Sequence, residues 1–249
     1  MIPKTIHYCW FGRGKLPELA LKCIDSWKKN LPDYKLMEWN EDTFDINSNL
    51  YVKQAYENKK YAFVTDYVRL YVLIKEGGIY MDTDVEVLKS LDDFLLHPAF
   101  SGFEGISHVP TGLMAAQKDS IWIKDLLKYY DFRSFIFEDG SFDMTTNTKT
   151  ITEYMLTMGL LLNDQYQEIS DLVVMYPHDY FCPKDHTTGI IRLTAQTVCI
   201  HHFAMSWTNP KEKHLSDFKR TLMRIFGVST VNKLIETLKL RQIKQKLLK

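Results

Sequence analysis

No run of these 249 residues approaches the roughly 20 consecutive apolar residues that a membrane-spanning helix needs, so the sequence offers no bilayer span. The formal net charge is +0, and nothing in the overall balance argues for a nucleic-acid partner. Cys9, Cys23, Cys182 and Cys199 are scattered, with no C-x-x-C pair and no histidine beside them at metal spacing. That usage fits a reducing compartment better than a disulfide scaffold. "MIPKTIHYCWFG" has no basic region followed by a long apolar run, so no secretory leader is expected and the expected setting is the cytoplasm. Internal repeats and low-complexity tracts are also lacking.

What is present is an ordinary globular composition with a high aromatic share, 13%, from rings that serve either core packing or a sugar- or base-binding cleft. Charge is unevenly distributed. From Lys211 onward there are eleven Lys and Arg against three Asp and Glu, which leaves residues 1–210 acidic by the same margin. "KTIHYCWFG" predicts a first strand, "LPELALKCIDSWKKNLPD" a helix, and "YKLMEWN" a second strand, followed by a polar loop rich in Asn and Asp. "KKYAFVTDYVRLYVLIKEGG" predicts a long helix closed by glycine, and "IYMDTDVEV" a third strand. "AFSGFEG", "TGLMAAQ", "DLVVMYP" and "TVCIHHFAMSW" predict later strands, with helices at "SIWIKDLLKYY" and "TITEYMLTMGLLL" and an irregular polar stretch from Arg133 to Lys149. The alternation argues for a doubly wound α/β sheet whose ligand crevice lies at the carboxyl ends of its strands.

"GGIYMDTDVEV" ends a buried strand on two carboxylates. The bare D-x-D pattern is a weak signal, because chance supplies it about once in a chain of this composition. Strand alternation would point Asp82 and Asp84 to one side, where both reach one hard cation such as Mn²⁺ or Mg²⁺. In the preceding helix Asp66 and Arg69 stand three apart among apolar neighbours. On a solvated face such a pair is an ordinary ion pair; in a helix buried all round it costs several kcal/mol without further partners, and a ligand-facing role is the other reading.

"YAFVTDYVRLYVLIKEGGIYMDTDV" resembles the signature of the family 32 glycosyltransferases, whose sugar-binding region contains a D-x-D motif. It is similar as well to the catalytic domains of the large clostridial glucosylating toxins. Asp66, Arg69, Gly77, Gly78, Tyr80, Asp82 and Asp84 all match the shared pattern. "IHYCWFG" and "HHFAMSW" extend the resemblance from Ile2 to about Trp207. It implies a single nucleotide-sugar-binding domain of the GT-A type with a central mixed sheet, over 1–210, and a basic helical extension over 211–249. It implies a retaining transfer from a nucleotide-sugar donor, a UDP-sugar first, to a glycan or lipid-linked glycan in bacterial surface polysaccharide assembly. Asp82 and Asp84 would hold Mn²⁺ or Mg²⁺ with His201 or His202, of which alternation lets only one face the cleft. Asp66 and Arg69 would bind donor-sugar hydroxyls, and Trp10 would stack on the base. Tyr80 and Thr83 would support the donor, and Ser206 and Trp207 would contact its diphosphate. Thr111-Gly112 is either a close backbone approach to the sugar or an ordinary turn, and Thr145-Thr146-Asn147 is assigned to the acceptor side.

Two other functions stand beside this one. A phosphotransferase of the haloacid-dehalogenase type would use Asp82 as nucleophile, but Val85 stands where that motif usually has glycine. A non-catalytic sugar-nucleotide binder would have no need of both carboxylates. The basic tail, with an apolar stripe, is either a packing helix or an interfacial helix that contacts an anionic membrane.

Overall fold

The structure is a computed structural model that describes residues 1–105, 108–205 and 210–238, with 210–213 described by backbone only. It divides into two compact units, one of Met1–Pro183 with Leu193–Ala204 and one of Lys184–Arg192 with Met205–Lys249.

The first unit opens with β1 (Thr5–Cys9), α1 (Glu18–Asn30) and β2 (Lys35–Trp39). In α1 the buried residues Ala20, Cys23, Ile24 and Trp27 recur at helical spacing, with Glu18 in the first turn and Lys28 and Lys29 in the last, matching the helix dipole. The expected polar loop contains instead a second helix, α2 (Leu50–Glu57). The Asn49 side chain caps it by accepting the Val52 N–H at 3.2 Å, and Tyr51, Val52 and Ala55 are its buried face. Its eight residues were too few, among so many polar neighbours, to show a period.

The long helix α3 (Tyr61–Glu76) is buried on nearly every side, as its apolar flanks require, and ends at Gly77 with φ +67°. Then come β3 (Gly78–Met81), β4 (Val85–Val87), β5 (Ala99–Gly102), β6 (Leu113–Ala116), α4 (Ile121–Leu127) and α5 (Asn147–Thr157). The unit closes with β7 (Gln167–Ile169), β8 (Val173–Tyr176), the single-turn α6 (His178–Phe181) and β9 (Cys199–His201). The second unit carries α7 (Pro210–Phe226) and α8 (Val228–Thr237), separated at Gly227, where φ is +83°.

Among the described residues, seven strands form the central sheet in the order β2-β1-β3-β6-β5-β8-β7. The pairs β1–β2, β1–β3 and β5–β8 are parallel, whereas β6 and β7 run against their neighbours. The sheet is therefore mixed, as the family resemblance implies. Each face is covered. Ile79 and Met81 of β3 enter one apolar layer with Ile6, Ile24, Trp27 and Phe100, while Tyr80 enters the other with Val64, Val68 and Leu73 of α3. Burial on both faces explains why β3 and β6 read as unbroken apolar runs.

One expected element is corrected. "IYMDTDVEV" is not one strand. β3 ends at Met81, Val85 N–H closes a turn on the Asp82 carbonyl at 3.0 Å, and β4 then joins β9 in a separate two-stranded antiparallel sheet. Carboxylates as close as Asp82 and Asp84 repel one another in a ladder, and a turn at the sheet edge lets both reach water or a cation. The reason they converge is this turn, rather than strand alternation.

Candidate active site

The site lies at the carboxyl end of β3, against α3. Arg69 is 4% exposed, and burying a guanidinium demands polar partners. Each of its three nitrogens has one. Nη2 stands 3.1 Å from Asp66 Oδ1 and 3.4 Å from Asp82 Oδ1, Nη1 donates to the Thr111 carbonyl at 2.8 Å, and Nε donates to the Thr65 carbonyl at 3.4 Å. The guanidinium also lies over the Tyr80 ring, 4.7 Å from its centroid, and the Tyr80 hydroxyl donates to Asp82 Oδ1 at 2.7 Å. Arg69 thus ties the helix carboxylate to the turn carboxylate. A buried network of this kind fixes geometry, and removing one member leaves its partners stranded.

Asp66 is 9% exposed. Burial pushes its carboxyl up to about 6, with Arg69 pulling the other way and Asp82 adding to the rise. The Asn147 backbone N–H donates to Asp66 Oδ2 at 3.3 Å, and the Asn147 side-chain amide donates to the Asp66 carbonyl at 3.0 Å. Of the Thr145-Thr146-Asn147 stretch, Asn147 therefore reaches the site through Asp66.

Asp84 is held by the chain that follows β9. The Ala204 N–H donates to Asp84 Oδ2 at 2.6 Å and the His202 N–H to the Asp84 carbonyl at 3.0 Å. His201 Nε2 lies 3.3 Å from Asp84 Oδ1 and 3.9 Å from Asp82 Oδ2. Burial alone would drive the Asp84 carboxyl up, but the His201 ring and the backbone N–H groups outweigh it and hold the group below the usual carboxylate range. Burial would likewise lower His201, and the Asp84 charge instead raises it well above the usual imidazole range.

His202 goes elsewhere, with Nε2 2.8 Å from Glu86 Oε2. Antiparallel pairing decides this, because Val85 stands opposite His201 and Glu86 opposite Ile200, so the two histidines leave the ladder on opposite sides.

Asp82, Asp84 and His201 each offer an atom within 4.8 Å of the others, and they are the group of that kind found among the described residues. Ligands on opposite sides of a small divalent ion stand about 4.2 Å apart, so the cluster needs little contraction to share one. Two carboxylate oxygens and one imidazole nitrogen suit a hard to borderline cation with open positions left for phosphate oxygens.

Around this centre, Trp10 follows β1 half-exposed, its indole N–H donating to the Gly14 carbonyl at 2.6 Å. Thr83 is half-buried within the turn. Ser206 and Trp207 lie outside the described residues. Sequence reasoning missed His7, the second residue of "IHYCW". It is fully buried, accepts the Trp39 indole N–H on Nδ1 at 3.0 Å and has Nε2 2.8 Å from the Gly77 carbonyl, which fixes the neutral tautomer. It pins the end of α3 to β1 and β2. A side chain on Gly78 would stand 2.6 Å from the Thr5 carbonyl oxygen, which is why this crossing needs glycine. A histidine inside a strand of apolar residues was the available signal.

Residues 17–101 match the family model described as "Glycosyltransferase sugar-binding region containing DXD motif". The chain is 30% identical over 124 residues to the inositol phosphoceramide mannosyltransferase 3 of Schizosaccharomyces pombe, covering 47% of this chain and 34% of that protein. It is 30% identical over 147 residues to the mannosyl phosphorylinositol ceramide synthase SUR1 of Saccharomyces cerevisiae, covering 55% and 37%. The match thus spans about a third of the length of each relative. Among solved structures, the PaToxG glycosyltransferase aligns with a TM-score of 0.47 at 20% identity, over 63% of this chain and 69% of that one.

Proposed function

We propose that the chain is a metal-dependent, retaining glycosyltransferase that takes a nucleotide-sugar donor, a UDP-sugar first, and a glycan or lipid-linked glycan acceptor. The observation that carries this is the meeting of Asp82, Asp84 and His201 within 4.8 Å beside the buried Asp66–Arg69 pair. The carboxylates of that cluster fall inside the residues matched by the sugar-binding-region model. The same geometry disfavours an Asp82 phosphotransferase, because Asp82 Oδ1 is occupied by Tyr80 and Arg69.

Mn²⁺ or Mg²⁺ held there supplies charge neutralisation to a diphosphate leaving group, worth several kcal/mol at the transition state. Asp84, kept ionised and fixed by the Ala204 N–H, and Asp82, aimed by Tyr80 and Arg69, would be its protein ligands with His201. Asp66, held by Arg69 and Asn147, would orient the donor-sugar hydroxyls and so the anomeric carbon. Trp10 would stack on the base, with Thr83 beside the phosphates and Ser206 and Trp207 assigned to the diphosphate. In this reading the catalytic domain would lie within 1–210, with a basic extension over 211–249.

Surface polysaccharide assembly is the setting that the sequence resemblance implies. The names of the two yeast relatives favour a second acceptor reading, mannosyl transfer to an inositol phosphate lipid. Among the described residues no helix is long and apolar enough to cross a membrane. Leu215, Phe218 and Ile225 of α7 are exposed on one helical face of the basic extension, which supports peripheral contact with an anionic membrane; the cytoplasmic face is the side the reading assigns.

A thermal-shift panel of uracil and guanine nucleotide sugars, with and without Mn²⁺, tests the reading. A sugar nucleotide that stabilises the wild type only with Mn²⁺, and fails to stabilise Asp84→Asn, is the expected result. Equal stabilisation of both proteins without metal would sink it. Vesicle co-sedimentation of the full chain and a chain ending at 210 tests the tail, and equal recovery would end the membrane idea.

A further inference from the structure

Gly112 precedes β6, opposite the end of β3, and is buried. Its carbonyl accepts the Asp82 N–H at 2.8 Å, which extends the β3–β6 ladder one rung into the D-x-D turn. Its neighbour Thr111 supplies the carbonyl that Arg69 Nη1 engages. One short backbone segment thus touches both Asp82 and the arginine that aims it.

The third member of the cluster meets the same segment. A methyl group on Gly112 would stand 2.8 Å from His201 Cε1, 2.8 Å from Nδ1 and 3.2 Å from Cγ. These are atoms of a ring that is confined elsewhere. Phe203 packs on it with centroids 4.2 Å apart, and the Cys182 side chain bears on it as well. The space left at Gly112 is the remaining side of that enclosure. The backbone of Gly112 lies outside the left-handed region, so the position does not require glycine for its dihedral angles. The missing side chain is required by the imidazole.

We propose that Gly112 is a positioning residue of the candidate metal site, its bare Cα leaving the space in which the His201 ring sits with Nε2 aimed at Asp82 and Asp84. This rests on the metal reading above. Groups that orient a metal's ligands typically change its affinity by about 10- to 100-fold when lost. Because alanine is compatible with the backbone here, Gly112→Ala inserts one methyl against the ring and changes nothing else of the ligand set.

Two measurements test it on the full chain. Mn²⁺ titration followed by electron paramagnetic resonance should show Gly112→Ala binding the ion at least tenfold more weakly than wild type. Melting temperatures of the metal-free proteins should show a penalty for Gly112→Ala that disappears when His201→Ala is also present, because the methyl then has room. Should Gly112→Ala alone fail to fold, recovery of folding in the double variant supports the contact and continued failure overturns it. Wild-type Mn²⁺ affinity in Gly112→Ala, or an equal melting penalty with and without His201, overturns the proposal and leaves the metal reading standing. A wild type that binds no Mn²⁺ removes the metal reading and the positioning role with it, whatever the melting temperatures show.

Discussion

His201 Nε2 stands 3.3 Å from Asp84 Oδ1, while the adjacent His202 Nε2 stands 2.8 Å from Glu86 Oε2. Two neighbouring histidines thus face two different acids across the β4–β9 ladder, one inside the site and one outside it. The contrast is directly testable. His201→Ala should weaken Mn²⁺ binding by about tenfold or more, whereas His202→Ala should change it by less than about threefold. Titration calorimetry of both variants checks this, and similar losses in the two would remove His201 from the site.

Tyr80 donates its hydroxyl to Asp82 Oδ1 at 2.7 Å from a position that is 1% exposed. Tyr80→Phe keeps the ring under Arg69 and removes the hydroxyl that bonds Asp82 and also bears on the Cys9 thiol. The expected stability loss is about 1 kcal/mol, with Mn²⁺ affinity lower by about tenfold. Unchanged affinity at unchanged melting temperature would show that the hydroxyl does not orient Asp82.

Burial raises the Asp66 carboxyl from 3.8 to about 6, so the folded protein holds this proton where the unfolded chain has released it. The folded state binds more protons between those values. Its contribution is complete below the unfolded pKa and is lost as pH rises through the folded one, about 3 kcal/mol in all. Asp66→Asn cannot titrate and lacks this loss. Urea unfolding of the metal-free proteins from pH 4 to pH 7.5 should show the variant gaining on wild type by an amount of that order, and parallel profiles would contradict the raised pKa.

His7 is fully buried with both ring nitrogens bonded, and burial lowers its pKa below 6.5. A depressed folded pKa contributes stability above the unfolded value that is lost as pH falls through the folded one. His7→Leu leaves the Trp39 N–H and the Gly77 carbonyl unpaired and should cost about 2–4 kcal/mol at pH 7.5. The variant should also lose less stability than wild type as pH drops below 6.5. Denaturant midpoints across that range measure both effects.

Much of the scaffold was legible in the sequence. The helix Tyr61–Glu76 and its glycine stop were readable because apolar residues flank Asp66 and Arg69 on every side, and such a helix has only one way to be buried. Strands β1, β2, β6 and β8 were readable from short apolar runs between turn residues. Helix α2 was not, since eight residues capped by Asn49 resemble the polar loop around them. The run through Asp82 misled, because a periodic pattern persists across a turn that shifts the chain from one sheet to another. His7 showed only as a histidine inside an apolar strand and Gly112 only as a close approach or a turn, since each acts on atoms supplied by distant segments.

By itself the sequence determined which chemical groups are available: two acids one residue apart, an acid and an arginine three apart on a buried helix, and paired histidines. Spacing within a strand or helix fixes relative direction, and that much is local physics. Only the tertiary structure decided that Val85 pairs with His201, that this brings one imidazole and not its neighbour to the acids, and that a glycine from a third segment makes room for it. Those outcomes depend on strand register and on the volume left between packed backbones, which no local pattern of residues encodes.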